Sequence, residues 1–181
     1  MLNTSNFSLH GVFLDVFGLG ALLTGVSGIG KSLLALGLIR QGHQLIADDS
    51  VDIFRLPNGT LEGRCPELLH DFLNIHNFGI INVRRAFGDK AIAVKQRLQL
   101  IIELVELPPK PNKSDDPLLG VQCDQLILQT QVTKITIPAM PTLNLINLVE
   151  AAVRNQQLKL AGYSASEDFI NRQQQLLETA L

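Results

Sequence analysis

The residues most able to do chemistry form one short segment, residues 25–32, with the sequence GVSGIGKS. The segment matches the phosphate-binding pattern G-x-x-x-x-G-K-[ST] at every fixed position. Its glycines let successive backbone N–H groups point into one concavity, and the following helix adds its positive N-terminal end. Lys31 is expected to reach the outer phosphates of a nucleotide and the Ser32 hydroxyl to bind Mg²⁺. The predicted nucleotide-binding residues are Gly25, Val26, Ser27, Gly28, Ile29, Gly30, Lys31 and Ser32.

The residues on either side of this segment predict the elements that a phosphate loop needs. An apolar run at residues 21–24 predicts a strand before the loop, and residues 33–36 continue as a helix. The alternative is a glycine-rich strand-to-helix turn that binds nothing. Because strand, loop and helix are in register, the sequence favours the phosphate site over that alternative.

Two acidic residues, Asp48 and Asp49, follow the apolar residues Leu45, Ile46 and Ala47. Three apolar residues in a row indicate a buried strand, and ligands collect at the carboxyl ends of strands in open α/β sheets. A helix cap or a turn is the alternative role for the two acids. Their position favours Mg²⁺ binding or proton transfer. If the strand continues, their side chains point to opposite sides, and only one can face the phosphates.

The remaining chain reads as further strands and helices without a linker between domains. We therefore expect a single domain over residues 1–181, with residues 1–8, which are polar, flexible. Glycines predict a hairpin around residues 18–20, and Pro-Asn-Gly predicts a second around residues 57–59. Other predicted elements are a short helix over 66–73, strands within 91–107, 125–132 and 134–137, a helix capped by Asn144 through Ala152, and a final helix capped by Ser164 or Ser166.

Composition excludes several classes of protein. Of the 181 residues 46% are apolar and 18% charged, and the net charge is −2, which is not the footprint of a nucleic-acid-binding protein. Two cysteines are too few for a disulfide framework. The apolar tract at residues 11–39 is interrupted by Asp15, Lys31 and glycines, which indicates buried core rather than a membrane span. Because the N-terminus also lacks a basic signal-peptide region, we expect a cytoplasmic protein with no membrane partner.

Together these motifs resemble one family. The segments that carry the resemblance are HGV at residues 10–12, the phosphate loop, GH at 42–43, LIADD at 45–49, GIINV at 79–83, KITIP at 134–138 and VEAA at 149–152. From His10 onward the chain closely resembles the catalytic domain of bacterial HPr kinase/phosphorylase. The resemblance implies a short form without the N-terminal domain of that family.

The resemblance also implies a fold, an activity and partners. The implied fold is a P-loop α/β domain related to the nucleotide-binding domain of PEP carboxykinases, with a mixed central sheet and flanking helices, usually assembled as a hexamer. The implied activity is ATP- and Mg²⁺-dependent phosphorylation of a serine on the phosphocarrier HPr, and the reverse phosphorolysis, in the regulation of carbohydrate uptake. His10, Lys31 and Asp49 fall on catalytic positions, and Asp49 would accept the serine proton. The implied metal positions are Ser32, Asp48 and Asn74.

The chain departs from the pattern of the family in the half that transfers the phosphoryl group. Asn74 replaces a magnesium-binding glutamate and Leu33 another glutamate, and arginines are replaced at His76, Leu118, Met140 and Leu143. Each lost cation or metal ligand lowers the rate of phosphoryl transfer. Arg84 or Arg85 could supply the lost positive charge, and the alternative is that both are simply solvated. The sequence thus predicts an HPr-type kinase with weakened or absent phosphorolysis. The alternatives are a nucleotide-binding regulatory protein without catalysis and a kinase for another acceptor.

Overall fold

The computed structural model of the protein describes residues 6–107 and 120–179. The strands in these ranges are β1 Asn6–His10, β2 Val12–Val16, β3 Leu19–Gly25, β4 Gln44–Ala47, β5 Ser50–Arg55, β6 Leu61–Arg64, β7 Phe72–Ile75, β8 Gly79–Asn82, β9 Lys95–Val105, β10 Gln122–Ile127 and β11 Thr130–Pro138. The α-helices are α1 Lys31–Arg40, α2 Val83–Phe87, α3 Leu145–Leu160 and α4 Ala165–Thr179. The predicted α/β class with a mixed central sheet and flanking helices is confirmed.

Strand β9 is the centre of the sheet. It pairs parallel with β3 on one side and with β11 on the other, and its first residues pair antiparallel with β6. Strands β2 and β4 continue the sheet beyond β3, and β5 and β1 continue it beyond β6. Since β2 is antiparallel to both β3 and β4, the strands β3 and β4 run in the same direction. The segments that follow β3 and β4 therefore both start at the carboxyl ends of their strands, on the same side of the sheet.

Both faces of the central strands are buried. On one face Leu23 and Leu100 pack against α1 and α3, which bury Leu38 and Val149 among other residues. On the opposite face lies a second buried cluster. It contains Leu22 of β3 together with residues of β5 and β6, such as Ile53 and Leu61. Because neighbouring residues of a strand point to opposite faces, a strand buried on both faces is apolar throughout. This explains the long apolar tract of the sequence.

No helix within residues 6–107 and 120–179 has the length and the apolar character needed to cross a membrane. The tract at residues 11–39, interpreted from the sequence as core, forms β2, β3 and α1. Helix α3 is held to the sheet by a hydrogen bond of 2.8 Å between Glu150 Oε1 and the buried His43 Nε2. Its N-cap is the predicted one, since the Asn144 side chain accepts a hydrogen bond from the Asn147 N–H.

Several predicted boundaries differ from those of the structure. The strand predicted over residues 125–132 is divided between β10 and β11 by a turn at Leu128 and Gln129, both with positive φ. Strand β1 begins at Asn6, within the segment 1–8 expected to be flexible, whereas residues 1–5 lie outside the described residues. Helix α3 does not end at Ala152 but continues to Leu160, because residues along one side, among them Val153, remain buried. Of the helix predicted over residues 66–73, Glu67–Leu69 form a 3-10 turn and β7 starts at Phe72.

Strands β7 and β8 form a separate two-stranded hairpin beside α1. Leu73 and Ile75 alternate with exposed neighbours along β7, and both are buried against the core that contains α1. At the turn Asn77 adopts a left-handed backbone with a φ of 62°, and the Phe78 N–H donates to the Ile75 carbonyl. One face of this hairpin is thus fixed to the core, and the other faces away from it.

Candidate active site

The loop between β3 and α1 has the geometry of an anion cradle. Gly28 and Gly30 adopt positive φ angles of 82° and 102°, which side chains other than glycine rarely allow. A Cβ on Gly25 would lie 2.5 Å from the Leu104 carbonyl oxygen, so this position also requires glycine. Gly30 caps α1 without any side-chain hydrogen bond. The first N–H groups of α1 are therefore left for a ligand, and their partial positive charge favours an anion.

Lys31 is buried in this loop, with 8% of its surface exposed. Its Nζ donates to the carbonyl oxygens of Gly25, at 2.9 Å, and of Val26, at 3.0 Å. An ammonium group has three N–H donors, so one remains for a further acceptor. The side chain is thus held over the loop, where a phosphate oxygen would provide a third acceptor.

Asp48 joins the loop to the β7–β8 hairpin. Its Oδ1 accepts a hydrogen bond of 3.2 Å from the Ser32 hydroxyl, and its Oδ2 accepts one of 2.7 Å from the Asn74 backbone N–H. The carboxylate is 6% exposed, and burial raises its pKa although these hydrogen bonds and the Asp49 N–H oppose the effect. A positive ion beside Asp48 would offset the cost of its burial.

The donor set around Asp48 fits Mg²⁺. A carboxylate, a hydroxyl and an amide oxygen are available from Asp48, Ser32 and Asn74, and Mg²⁺ prefers such hard oxygen ligands. Within residues 6–107 and 120–179 no group of three or more His, Cys, Asp or Glu side chains is placed to hold a metal. At nucleotide sites Mg²⁺ typically takes one or two protein ligands, and phosphates and water complete its coordination.

Asp49 lies beside His10, with 3.1 Å between Asp49 Oδ1 and His10 Nδ1. Pairing of His10 with Ser50 in the β1–β5 ladder brings the imidazole to this carboxylate. The two acids would point to opposite sides only if the strand continued, and it does not, because β4 ends at Ala47 and Asp49 has a left-handed φ of 69°. This turn of the backbone brings both carboxylates to the same cleft.

A cleft of about 490 Å³ unites these groups. The predicted site residues that line it are His10, Ser27, Gly28, Gly30, Lys31, Ser32, Asp48, Asp49 and Asn74. Gly25 and Val26 line an adjoining cavity of about 730 Å³, together with Ser27 and residues 103–106 of β9 and its end. Ile29 packs against the core instead. A phosphate loop, two acids and an amide thus surround one open space.

Comparison with known proteins decides the family. The profile described as HPr Serine kinase C-terminal domain matches residues 3–173, which is most of the chain. The chain belongs to this family.

Individual members of the HPr kinase family agree with that assignment. The HPr kinase/phosphorylase of Neisseria meningitidis serogroup C is 49% identical over 169 residues, covering 93% of this chain and 53% of that protein. The HPr kinase/phosphorylase of an Azoarcus species is 46% identical over 171 residues, covering 94% and 54%. The solved structure of the Hpr(Ser) kinase/phosphatase from Coxiella burnetii is 39% identical, with a TM-score of 0.81. The match covers 90% of this chain and 98% of that one. The chain spans about half the length of the Neisseria and Azoarcus relatives.

Some departures from the pattern of the HPr kinase family lie in the cleft itself. Leu33 and His76 line it, and so do four residues that were not predicted as site residues: Gly11, Ile75, Asn77 and Gly79. The last three belong to the β7–β8 hairpin or its turn, which the sequence analysis missed. The glycine and asparagine of the turn, two residue types that allow left-handed backbone, were the available signal for it.

Two other departures, Met140 and Leu143, are not among the described residues that line the cleft. Leu118 lies outside the described residues. Arg84 does not replace a lost arginine, because its guanidinium pairs with Asp71 at 2.6 Å and Asp89 at 2.8 Å. Arg85 is likewise not one of the described residues that line the cleft.

Proposed function

We propose that this protein is an ATP- and Mg²⁺-dependent serine kinase that phosphorylates the phosphocarrier HPr. The single observation that carries the proposal is the position of Asp49, supported by His10, at the cleft of an intact phosphate loop. Nucleotide binding alone needs no carboxylate that can accept a proton from an acceptor. The names of the relatives, HPr kinase/phosphorylase and Hpr(Ser) kinase/phosphatase, support HPr as the acceptor.

The loop binds and neutralises the phosphates of ATP. The free N–H groups at the start of α1 and the remaining N–H donor of Lys31 hydrogen-bond the phosphate oxygens. Asp48, Ser32 and Asn74 hold Mg²⁺ in this proposal, and the bound ion would neutralise charge on the phosphate oxygens. Protein groups mainly position the reactants in phosphoryl transfer, so the fixed geometry of the loop accounts for much of the catalysis.

Asp49 acts as the base in the forward direction. Its carboxylate accepts the proton of the acceptor serine hydroxyl while the serine oxygen forms a bond to the γ-phosphorus of ATP. The bond between that phosphorus and the bridging oxygen breaks, and its electron pair leaves with ADP. The Asp49 side chain is 73% exposed, and its Oδ1 lies 3.1 Å from His10 Nδ1 beside the cleft.

The reverse phosphorolysis is weakened or absent in this proposal. Attack of inorganic phosphate on phosphoserine brings a further anion into the cleft, and this chain has leucine or methionine where the resemblance implies arginines, at Leu118, Met140 and Leu143. We further propose a cytoplasmic homo-oligomer, a hexamer as the resemblance implies. Light scattering coupled to size-exclusion chromatography measures its mass directly.

The test is intact-mass analysis of HPr from the same organism after incubation with this protein, ATP and Mg²⁺. The proposal expects one phosphoryl addition that disappears in Asp49→Asn. Asp52→Asn is the matched control, because Asp52 lies on β5 and is not among the described residues that line the cleft. Phosphorylated HPr with inorganic phosphate should yield little pyrophosphate in the same assay.

Two outcomes contradict the proposal. If ATP binds but HPr gains no mass, the protein is a regulatory nucleotide-binding protein or acts on another acceptor. If Asp49→Asn phosphorylates HPr as fast as the unchanged protein, Asp49 is not the base.

A further inference from the structure

The polar cleft has an apolar rim. Three large apolar side chains at its edge are exposed to solvent: Leu33 by 63%, Phe78 by 74% and Ile80 by 70%. Leu33 itself lines the cleft, and Phe78 lies in the turn between two lining residues, Asn77 and Gly79. We call Leu33, Phe78 and Ile80 the apolar rim.

The register of the hairpin places Ile80 on the cleft side. Ile80 is paired directly with Asn74, and directly paired residues of two antiparallel strands have their side chains on the same face. Asn74 lines the cleft, whereas Leu73, the preceding residue, is buried on the opposite face of the hairpin. The face that carries Asn74 and Ile80 is thus the one that looks away from the core.

The fold does not require apolar side chains at the rim. Leu33 is in the first turn of α1, where the helix dipole favours acidic residues, and α1 has none there. A leucine side chain at this position can neither hydrogen-bond to nucleotide phosphates nor coordinate Mg²⁺. Exposed apolar side chains grouped beside a polar functional site are typical of an interaction surface.

The position of the rim determines what can reach it. A serine whose hydroxyl contacts Asp49 must have its neighbouring residues at the edge of the cleft, because an extended chain advances roughly 3.5 Å per residue. The adjoining cavity of about 730 Å³, lined by Gly25 and Val26 of the loop and by Glu106 after β9, leaves separate space for the nucleoside. The rim therefore faces the acceptor.

We propose that the apolar rim binds apolar side chains that flank the acceptor serine and so determines which proteins are phosphorylated. This inference rests on the proposed kinase function. The occupant is a protein segment in which a serine has apolar neighbours within one or two residues. Burial of such side chains against Leu33, Phe78 and Ile80 removes apolar surface of both partners from water, which favours the complex.

The test measures acceptor and nucleotide separately in Leu33→Gln and Ile80→Thr. The KM for HPr should rise roughly tenfold in each, a change of about 1.4 kcal/mol. The Kd for ATP, measured by isothermal titration calorimetry, and kcat at saturating HPr should stay within about twofold of the unchanged protein. Leu126→Gln is the matched control, because Leu126 is 69% exposed but lies on β10 and is not among the described residues that line the cleft.

A second set of acceptors identifies the contact. In HPr, each apolar residue within two positions of the phosphorylated serine is changed to serine, one at a time. If that residue contacts the rim, the effect of Leu33→Gln disappears in the matching HPr variant, as coupled residues show in a double-mutant cycle. Additive effects in all combinations contradict the proposal.

Other outcomes overturn the inference in distinguishable ways. An unchanged KM in both rim variants shows that the rim does not touch the acceptor, and a rise in the Kd for ATP shows that it holds the nucleotide base. If HPr is not phosphorylated at all, the proposed function fails, and the rim is tested by calorimetric binding of HPr to the ATP-loaded protein. If the rim variants bind HPr more weakly than the unchanged protein, the rim is a contact site for HPr. If HPr does not bind at all, the proposal is refuted for this acceptor.

Discussion

Two buried carboxylates of this protein have opposite electrostatic surroundings. Asp48 in the cleft is 6% exposed and Glu62 in β6 is 8% exposed, so water solvates both poorly. The pKa of Asp48 is raised by its burial. The pKa of Glu62 is lowered, because hydrogen bonds from Arg64, at 2.8 Å from its Nε, and from Lys95, at 3.1 Å, outweigh its burial.

This difference in surroundings distinguishes a structural ion pair, at Glu62, from a candidate binding site, at Asp48. Glu62 has the cations that a buried carboxylate needs, and they come from its own strand and from β9. Asp48 has the Ser32 hydroxyl, backbone N–H groups and a second acid beside it. A carboxylate whose pKa is shifted by burial and that lies in a cleft is a candidate for a functional site. In the proposed function, Mg²⁺ bound with ATP would supply a positive charge beside Asp48.

The largest expected effect is on catalysis. Asp48→Asn should lower the rate of HPr phosphorylation by roughly 10²- to 10³-fold, the usual cost of losing one group that stabilises charge in the transition state. Glu62→Gln should leave the rate within about twofold of the unchanged protein. Initial rates at several Mg²⁺ concentrations measure both. Equal losses in the two variants would mean that the cleft acid has no special role.

A smaller effect is expected on nucleotide affinity. Lys31→Ala should weaken ATP binding roughly 10- to 100-fold, since hydrogen bonds to charged groups contribute about 1.5–3 kcal/mol. Lys95→Ala, which removes one of the two cationic partners of Glu62, should leave the Kd for ATP unchanged. Isothermal titration calorimetry gives both values. An unchanged Kd in Lys31→Ala would refute the phosphate loop as the nucleotide site.

Stability should respond to Asp48 with the opposite sign from activity. A raised pKa means that the native state binds a proton more tightly than the unfolded state, so near neutral pH the ionised carboxylate costs stability. In Asp48→Asn the amide oxygen still accepts from the Asn74 N–H. The Ser32 hydroxyl, which donates to Asp48, can instead accept a hydrogen bond from the new amide NH₂. Without ligands the Tm should rise by roughly 2–4 °C, corresponding to about 1 kcal/mol. A lower Tm would show that Asp48 is a structural residue.

The sequence predicts the parts of this site that are local in the chain. The phosphate loop follows from eight consecutive residues, and the position of Asp48 and Asp49 follows from the apolar strand before them. The hairpin was not predicted because each of its strands has four residues, too few to distinguish a strand from a helix by periodicity. With the hairpin, the sequence analysis also missed the contact between Asn74 and Asp48, which are 26 residues apart in the chain.

Two further details depend on the folded backbone alone. The left-handed conformation of Asp49 brings both acids into the cleft, and nothing in the order of two aspartates predicts a positive φ. The hydrogen bonds of Lys31 to Gly25 and Val26 depend on the path of the loop carbonyls. The motif predicts which residues bind phosphate, whereas their orientation comes from the fold.

The smallest expected effect concerns Glu62 and depends on pH. Because the folded-state pKa of Glu62 is lowered, its pairing stabilises the protein above the unfolded value, about 4.5, and is lost as the pH falls through the folded value. Glu62→Gln should therefore lower the free energy of unfolding near neutral pH by about 1 kcal/mol, the upper range for partly exposed partners. Urea unfolding of both proteins across the pH range measures the difference, which should shrink steadily below pH 4.5. A difference that stays constant with pH would assign the loss to packing rather than to charge, and the contrast with Asp48 would no longer be electrostatic.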